Sequence, residues 1–306
     1  MAWCLLSRRR RREEESDISN DKAIVTPMLH PGALSKALST PEGSSKGPPV
    51  LGTKSELDIF LVDGTSDSEI TSELTALGHL LTDHVENNYH LQPIQQDASV
   101  IKDSLLGLGL DEWTESRIAT LSVEPRTRHV AIRNVLANVI FTALDVRNTR
   151  GPSLLPPEMV AFVRSLPPRK SIGPGTPYAK ALETWRRIST FLMHEAGKEG
   201  SPLPLPSRIT PQVDELQTSL DQFLEYFVHD DSRARFDQSR NLNGVIRECA
   251  ALGYTIFSHP CEWRYSFVTE SPKDIVVLPG LERLSRREEE MYDSPRVLAW
   301  PVVVTV

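Results

Sequence analysis

Arg128, His129 and Arg133 come closest, in type and spacing, to a binding constellation in this chain of 306 residues. His129 and Arg133 lie four apart in a helical pattern, so they share one face, and Arg128 is adjacent. Together they can form a polar pocket for an anionic group, or they can pair within the fold with Glu248 or Glu262. His229-Asp230-Asp231 has the residue types of a metal site, but three consecutive residues at a helix junction suit capping better. The eight histidines include no pair with His-Glu-x-x-His spacing. Cys4, Cys249 and Cys261 are odd in number and widely spaced, which excludes a disulfide framework, a zinc knuckle and a dithiol redox pair. Gly-x-Ser-x-Gly is also missing from the sequence. The expectation is therefore no catalytic residue, no metal ligand and no cofactor, with enzymatic activity left open but not favoured.

Two further stretches imitate catalytic loops. FLVDGTSDS ends an apolar run in Asp-Gly-Thr, as phosphatases with an aspartyl nucleophile do. Their chemistry needs two aspartates, spaced Asp-x-Asp-Gly-Thr. Leu61 stands at the nucleophile position, and an alkyl group cannot attack phosphorus. Asp63, Gly64 and Thr65 read instead as a turn into a capped helix. LGTKS lacks the Gly-x-x-x-x-Gly-Lys-Ser/Thr of a phosphate loop, because Thr53 separates Gly52 from Lys54.

The elements that would position these residues are mostly helical. Ser66 and Glu69 predict a capping box, and Ile70, Leu74, Leu77, Leu81 and Val85 follow at helical spacing to about residue 88. Shorter helices are expected over 98–108 and 112–121. Pro125 suits a first helical turn, followed by the apolar face of Ile132, Val135, Leu136, Val139, Ile140, Ala143 and Leu144. PPEMVAFVRSLPP predicts a short helix, and Pro177 opens another through Trp185 and Leu192. Thr210 and Pro211 read as a cap and a first-turn proline. A long helix spans 232–257, with Val245, Ile246, Cys249, Leu252, Gly253 and Ile256 inward. Beyond Pro260 the patterns WRYSF, DIVVLPG and VLAWPVVVTV are extended, and Pro301 restricts the last to an edge strand or packed tail. The fold class is mainly α: a bundle of about seven to eight helices with short extended segments at the C-terminus. Trp185, Phe191, Phe223, Tyr226, Phe227, Tyr254, Phe257, Trp263 and Tyr265 form an aromatic set suited to a core. The sharper alternative is a lipid or small-molecule pocket inside the bundle.

Charge and composition narrow the partners. A net charge of −7 repels nucleic acid, so nucleic acid is not an expected partner. No run approaches the roughly 18–20 apolar residues of a membrane-spanning helix. The opening apolar run is too short for a signal peptide, and its basic residues follow it rather than precede it. Residues 1–56 hold charge blocks and prolines that predict a disordered tail and linker, leaving 57–306 as the helical domain.

Arg8, Arg9, Arg10, Arg11 and Arg12 admit three readings: a solvated terminus, a nuclear-localisation or polyanion patch, or a basic stop beside a membrane. Cys4 next to this run is a candidate acylation site, which with the arginines would make a two-signal anchor. From Leu61 onward the chain resembles a family of uncharacterised proteins of filamentous fungi. The resemblance rests on FLVDGTSDSEITSELTALGHLLTDHVENNYHL, RTRHVAIRNVLANVIFTALD, SLLPPEMVAFVRSLPP, NGVIRECAALGYTIFSHPCEWRYSF and VVLPGLERLS, and covers about four-fifths of the chain. It implies one transmembrane helix, then a basic run, a Pro/Ser-rich linker and this helical domain. This chain departs from that pattern by lacking the membrane helix. The expectation is a cytoplasm-facing interaction or scaffold module with a protein partner, membrane-associated through its N-terminus. The alternatives are an enzyme or small-molecule binder with an internal pocket, and a nuclear regulator.

Overall fold

Ser66 opens the first helix in the way its sequence predicts. Its hydroxyl accepts from the Glu69 amide at 3.2 Å, and the Glu69 carboxylate accepts from the Ser66 amide at 3.1 Å. This reciprocal box satisfies amides that no helical carbonyl can reach. The computed structural model describes residues 64–148, 151–167, 176–198, 201–286 and 291–306, all within the unit Asp58–Val306. Arg8, Arg9, Arg10, Arg11, Arg12, Cys4, the 1–56 linker and residues 57–63 lie outside the described residues.

Among the described residues the chain is mainly α, with eight helices followed by five short strands. The helices are α1 Asp67–Asn88, α2 Ala98–Leu105, α3 Glu112–Val123, α4 Arg128–Thr142, α5 Pro157–Ser165, α6 Pro177–Met193, α7 Thr210–Leu224 and α8 Ser232–Ser258. The strands are β1 Trp263–Ser266, β2 Asp274–Leu278, β3 Gly280–Ser285, β4 Met291–Ala299 and β5 Val302–Thr305. They form two antiparallel sheets, β1-β3-β4 and β2-β5.

Helix α4 is the centre of the core. Ala131, Ile132, Val135, Leu136, Ala137, Ile140 and Phe141 are fully buried, on every side of the helix. A helix with buried residues on every side needs neighbours all round, and α4 packs against α1, α3, α7, α8 and β2. Asn134 Nδ2 donates to the Val276 carbonyl at 2.7 Å, tying α4 to β2. Two glycines allow close approach: a Cβ on Gly253 of α8 would meet Leu144 Cδ2 at 2.5 Å, and one on Gly78 of α1 would meet Leu278 Cδ2 at 2.7 Å.

The structure corrects several details. The helix expected over 98–108 ends at Leu105, where Gly107 and Gly109 adopt φ of +88° and +82°. Such positive φ values stop a helix and favour glycine. Pro125 lies in the turn before α4, not in its first turn. Thr210 does not cap α7: it lies inside the helix and its hydroxyl donates back to the Ser207 carbonyl at 3.3 Å. Pro211 does occupy the first turn. Strand β3 was not expected from the sequence, and it is the central strand of its sheet.

Candidate functional site

The end of α8 sets the site. His259 terminates the helix in an extended conformation and Pro260 prevents its continuation. The last carbonyls of α8 then need donors from elsewhere. Arg186 of α6 supplies part of this need and ties down the residues that follow, donating to the carbonyls of Phe257 in the last turn, His259 at the cap (2.8 Å) and Cys261 beyond it (3.4 Å). Its guanidinium also binds Glu183, one turn earlier on α6, through both carboxylate oxygens. α6 is thereby fixed beside the junction of α8 and β1.

Strand β1 leaves that junction with Trp263 and Tyr265 two residues apart, hence on one face of the strand. Arg264 lies between them on the other face and binds Glu282, its cross-strand partner on β3, at 2.9 Å. The Trp263 and Tyr265 face lines a cleft of about 270 Å³ walled by α6, the end of α8, β1, Leu281 of β3 and the segment after α4. The walls are mainly apolar, with Leu144, Leu182, Trp185, Ile256 and Phe257 among them. Trp185 stacks on Phe162 of α5 at 4.2 Å, and Tyr265 meets Phe141 edge-on at 5.1 Å.

Two polar atoms of the Trp263 and Tyr265 side chains have no partner in the protein, and both are closed off from the cleft. Trp263 is 6% exposed, yet its buried Nε1–H has no hydrogen-bond partner; the same is true of the Tyr265 hydroxyl. A buried donor left unpaired costs about 1–3 kcal/mol. Burial pushes the Tyr265 phenol well above its ordinary pKa, so it stays a donor.

The charges in the wall are paired. Arg147 binds Glu262 at 3.0 Å and the Trp263 carbonyl at 2.8 Å, and reaches Asp145 at 3.5 Å. Burial disfavours ionisation of Glu183, but Arg186, with Arg187 and Arg147, holds its carboxyl below the usual range. Burial and the neighbouring Glu183 push Glu262 up, against Arg147 and Arg186. Cys261 also lines the cleft, but burial pushes its thiol up, and a protonated thiol is a poor nucleophile. The cleft can therefore bind through apolar contact.

The residues singled out from sequence lie elsewhere. Arg128 is fully buried and donates to the carbonyls of Ser122 (2.8 Å), Val123 (3.0 Å), His90 (2.9 Å) and Gln92 (2.6 Å). It caps the C-terminus of α3 and holds the loop after α1, with carbonyls as partners in place of Glu248 or Glu262. His129 Nε2 lies 2.9 Å from the Tyr89 carbonyl. Arg133 is half-buried, its Nε without a partner. None of the three lines the α6–α8–β1 cleft. Asp231 accepts from the Ala234 amide and caps α8, while Asp230 binds Arg235. A second recess, near His90 and His229, is wider at about 410 Å³, but it is open and mainly polar. Among the described residues no group of three or more His, Cys, Asp or Glu side chains is arranged to hold a metal ion. No helix among them is long and apolar enough to cross a membrane.

The aromatic set read from the sequence contributes Trp185, Phe257, Trp263 and Tyr265 to the cleft, whereas Phe223 and Phe227 are fully buried core. What sequence reasoning missed is Arg186, which fixes α6 beside the junction of α8 and β1. The alternation Trp-Arg-Tyr signals a strand with one aromatic face, but not that its polar atoms lack partners. Comparison with protein-family models, curated proteins and solved structures finds no match.

Proposed function

We propose that this chain is a ligand-binding domain that takes a small, mainly apolar molecule into the cleft between α6, α8 and β1. The observation that carries this reading is a mainly apolar cleft of about 270 Å³ between α6, the end of α8 and β1, lined by Leu144, Leu182, Trp185, Ile256 and Phe257 and flanked by the Arg186 staple. A tightly packed core would have no such recess, and a concave, mainly apolar recess with a few charged groups at its rim is the usual form of a small-molecule site. The experiment is a fluorescence titration of the full chain with prodan, a neutral naphthalene ketone that brightens in apolar surroundings. The expected result is saturable binding that Ala179→Trp, which fills the cleft from α6, removes without changing the far-ultraviolet spectrum. Equal binding by the wild type and a folded A179W protein would place the dye elsewhere and overturn the reading.

A second reading, the interaction module with a protein partner, draws on the C-terminal strands. Trp300 is 77% exposed, and Val302 and Val303 are exposed on β5, which pairs only with β2 among the described strands. An apolar edge strand of this kind suits addition of an extended segment from a partner. The test is cross-linking in an extract of the source cells: a partner retained by wild type and lost on Trp300→Ser supports the reading, and identical products from both oppose it.

A further inference from the structure

We infer that a separate recess, between α3, α4 and the chain that joins β1 to β2, binds a neutral pyranose sugar. The inference does not rest on the ligand-binding reading of the α6–α8–β1 cleft.

Trp113 marks the place. It stands in the first turn of α3 and is 61% exposed. Arg117, one turn later, lies over the indole at 5.2 Å and donates to the Asp274 carbonyl at 3.1 Å, which steadies the ring beside the start of β2. Both side chains line a recess of about 230 Å³, together with Asn138 of α4 and Phe267, a size that suits a single sugar ring.

The polar atoms here are open. Asn138 Nδ2 donates to the Asn134 carbonyl at 3.0 Å, which leaves its Oδ1 as an acceptor. Among the described residues, neither that Oδ1 nor the Nε and Nη2 donors of Arg117 has a protein partner, and none of them is sealed from solvent. Helix α4 is walled in by its neighbours, so this recess is where Asn138 meets water.

An open donor and an open acceptor beside an apolar ring define the ligand. A hydroxyl both donates and accepts, so adjacent hydroxyls can satisfy Arg117 and Asn138 together. The C–H face of a pyranose covers indole surface that otherwise stays in water. Charge selects against an ion. The carboxylates of Asp111 and Asp274 share the lining with Arg117 and oppose an anion. Arg117 already lies over the indole and repels a second cation there. The carboxylates are themselves engaged, Asp111 by the Thr114 amide and hydroxyl and Asp274 by the Thr305 hydroxyl.

The test titrates the full chain, labelled with fluorotryptophan, with the methyl pyranosides of glucose, mannose, galactose and N-acetylglucosamine. The expected result is a saturable shift of the Trp113 resonance by at least one of them, with a dissociation constant on the order of 1 mM, and an unmoved Trp300. Saturating prodan should leave that shift in place. Saturation transfer from the protein to the glycoside should be lost on Trp113→Ala, an exposed position outside the core, and fall severalfold on Asn138→Ala. A disaccharide ending in the same sugar separates two sources of the ligand: equal or tighter binding assigns the end of a glycan, and weaker binding assigns the free sugar. No Trp113 shift with any glycoside at about 50 mM, an equal shift of Trp300, or undiminished saturation transfer in folded W113A would overturn the inference.

Discussion

Arg186 and Glu183 form a buried ion pair across one turn of α6, and the same guanidinium holds the carbonyls that end α8. Both roles belong to one side chain, so its loss leaves a buried carboxylate and several carbonyls without donors. Removing one partner of a buried pair costs about 3–5 kcal/mol. We expect Arg186→Met to lower the unfolding free energy from urea titration by that order and to weaken prodan binding, since α6 is no longer fixed beside β1. Arg186→Lys should recover only part of the stability, because an ammonium cannot span three carbonyls and a carboxylate as a planar fork does. Equal midpoints for wild type and R186M would show that the contact is dispensable.

Arg128 does the same work at the end of α3 but away from the cleft. Arg128→Met should cost about 2–4 kcal/mol through unpaired carbonyls, yet leave prodan affinity in the folded fraction unchanged. Added phosphate should not raise the melting temperature of the wild-type protein, because the guanidinium is occupied by carbonyl groups. A phosphate-dependent rise abolished by R128M would instead mark an anion site at Arg128, His129 and Arg133.

These two arginines show how far the sequence could be read. Local signals were legible: the Ser66–Glu69 box, the inward face of α1, the apolar face of α4 and the extended C-terminus follow from nearest-neighbour rules. Arg128 stood out as a polar residue beside the apolar face of its helix, but two of its four carbonyl partners lie 36 and 38 positions away in the loop after α1. For Arg186 the local pattern offers only the pairing with Glu183 three residues earlier; its carbonyl partners are 71 to 75 positions away. Strand β3 was hidden because Leu-Glu-Arg-Leu lacks strict alternation, and its place at the sheet centre comes from pairing with β1 and β4. Thr210 had the residue type of a cap but not the backbone position of one.

Two buried histidines predict the response to acid. His84 Nδ1 lies 2.6 Å from Asn241 Oδ1 and its Nε2 3.0 Å from the Tyr89 hydroxyl; burial lowers its pKa to about 4, against the Asn241 bond. His259 Nδ1 accepts from the Cys261 amide and Nε2 donates to the Thr65 carbonyl; burial again lowers its pKa to about 4, with Arg186 and Arg283 adding to the effect. The unfolded imidazoles titrate near 6.5. Both contributions are therefore complete above pH 6.5 and are lost as pH falls towards about 4. Each is on the order of 3 kcal/mol at the acid limit. Glu262, whose carboxyl is pushed up, acts in the opposite sense as it takes up its proton. Urea midpoints should fall between pH 6.5 and 4.5, and His84→Gln should flatten the curve. A profile of unchanged steepness in H84Q would remove His84 from the account.

Gly253 and Leu144 make a paired prediction. A Cβ at Gly253 has no room unless the Leu144 side chain, itself part of the cleft wall, moves aside. Gly253→Val should cost about 1–3 kcal/mol by overpacking. Leu144→Ala should be costly alone but should recover part of the loss when combined with G253V. Additive effects in the double-mutant cycle would show that the two positions do not meet.

The most direct measurement is fluorine NMR of the full chain labelled with fluorotryptophan and titrated with prodan. The five tryptophans, assigned by Phe replacement, report on separate places: Trp185 and Trp263 line the cleft, while Trp113 and Trp300 are exposed outside it. The account predicts that the Trp185 and Trp263 resonances move together and saturate at one equivalent of dye, with Trp113 and Trp300 unmoved. Movement of Trp113 or Trp300 alone, or no saturable shift at any position, would contradict it.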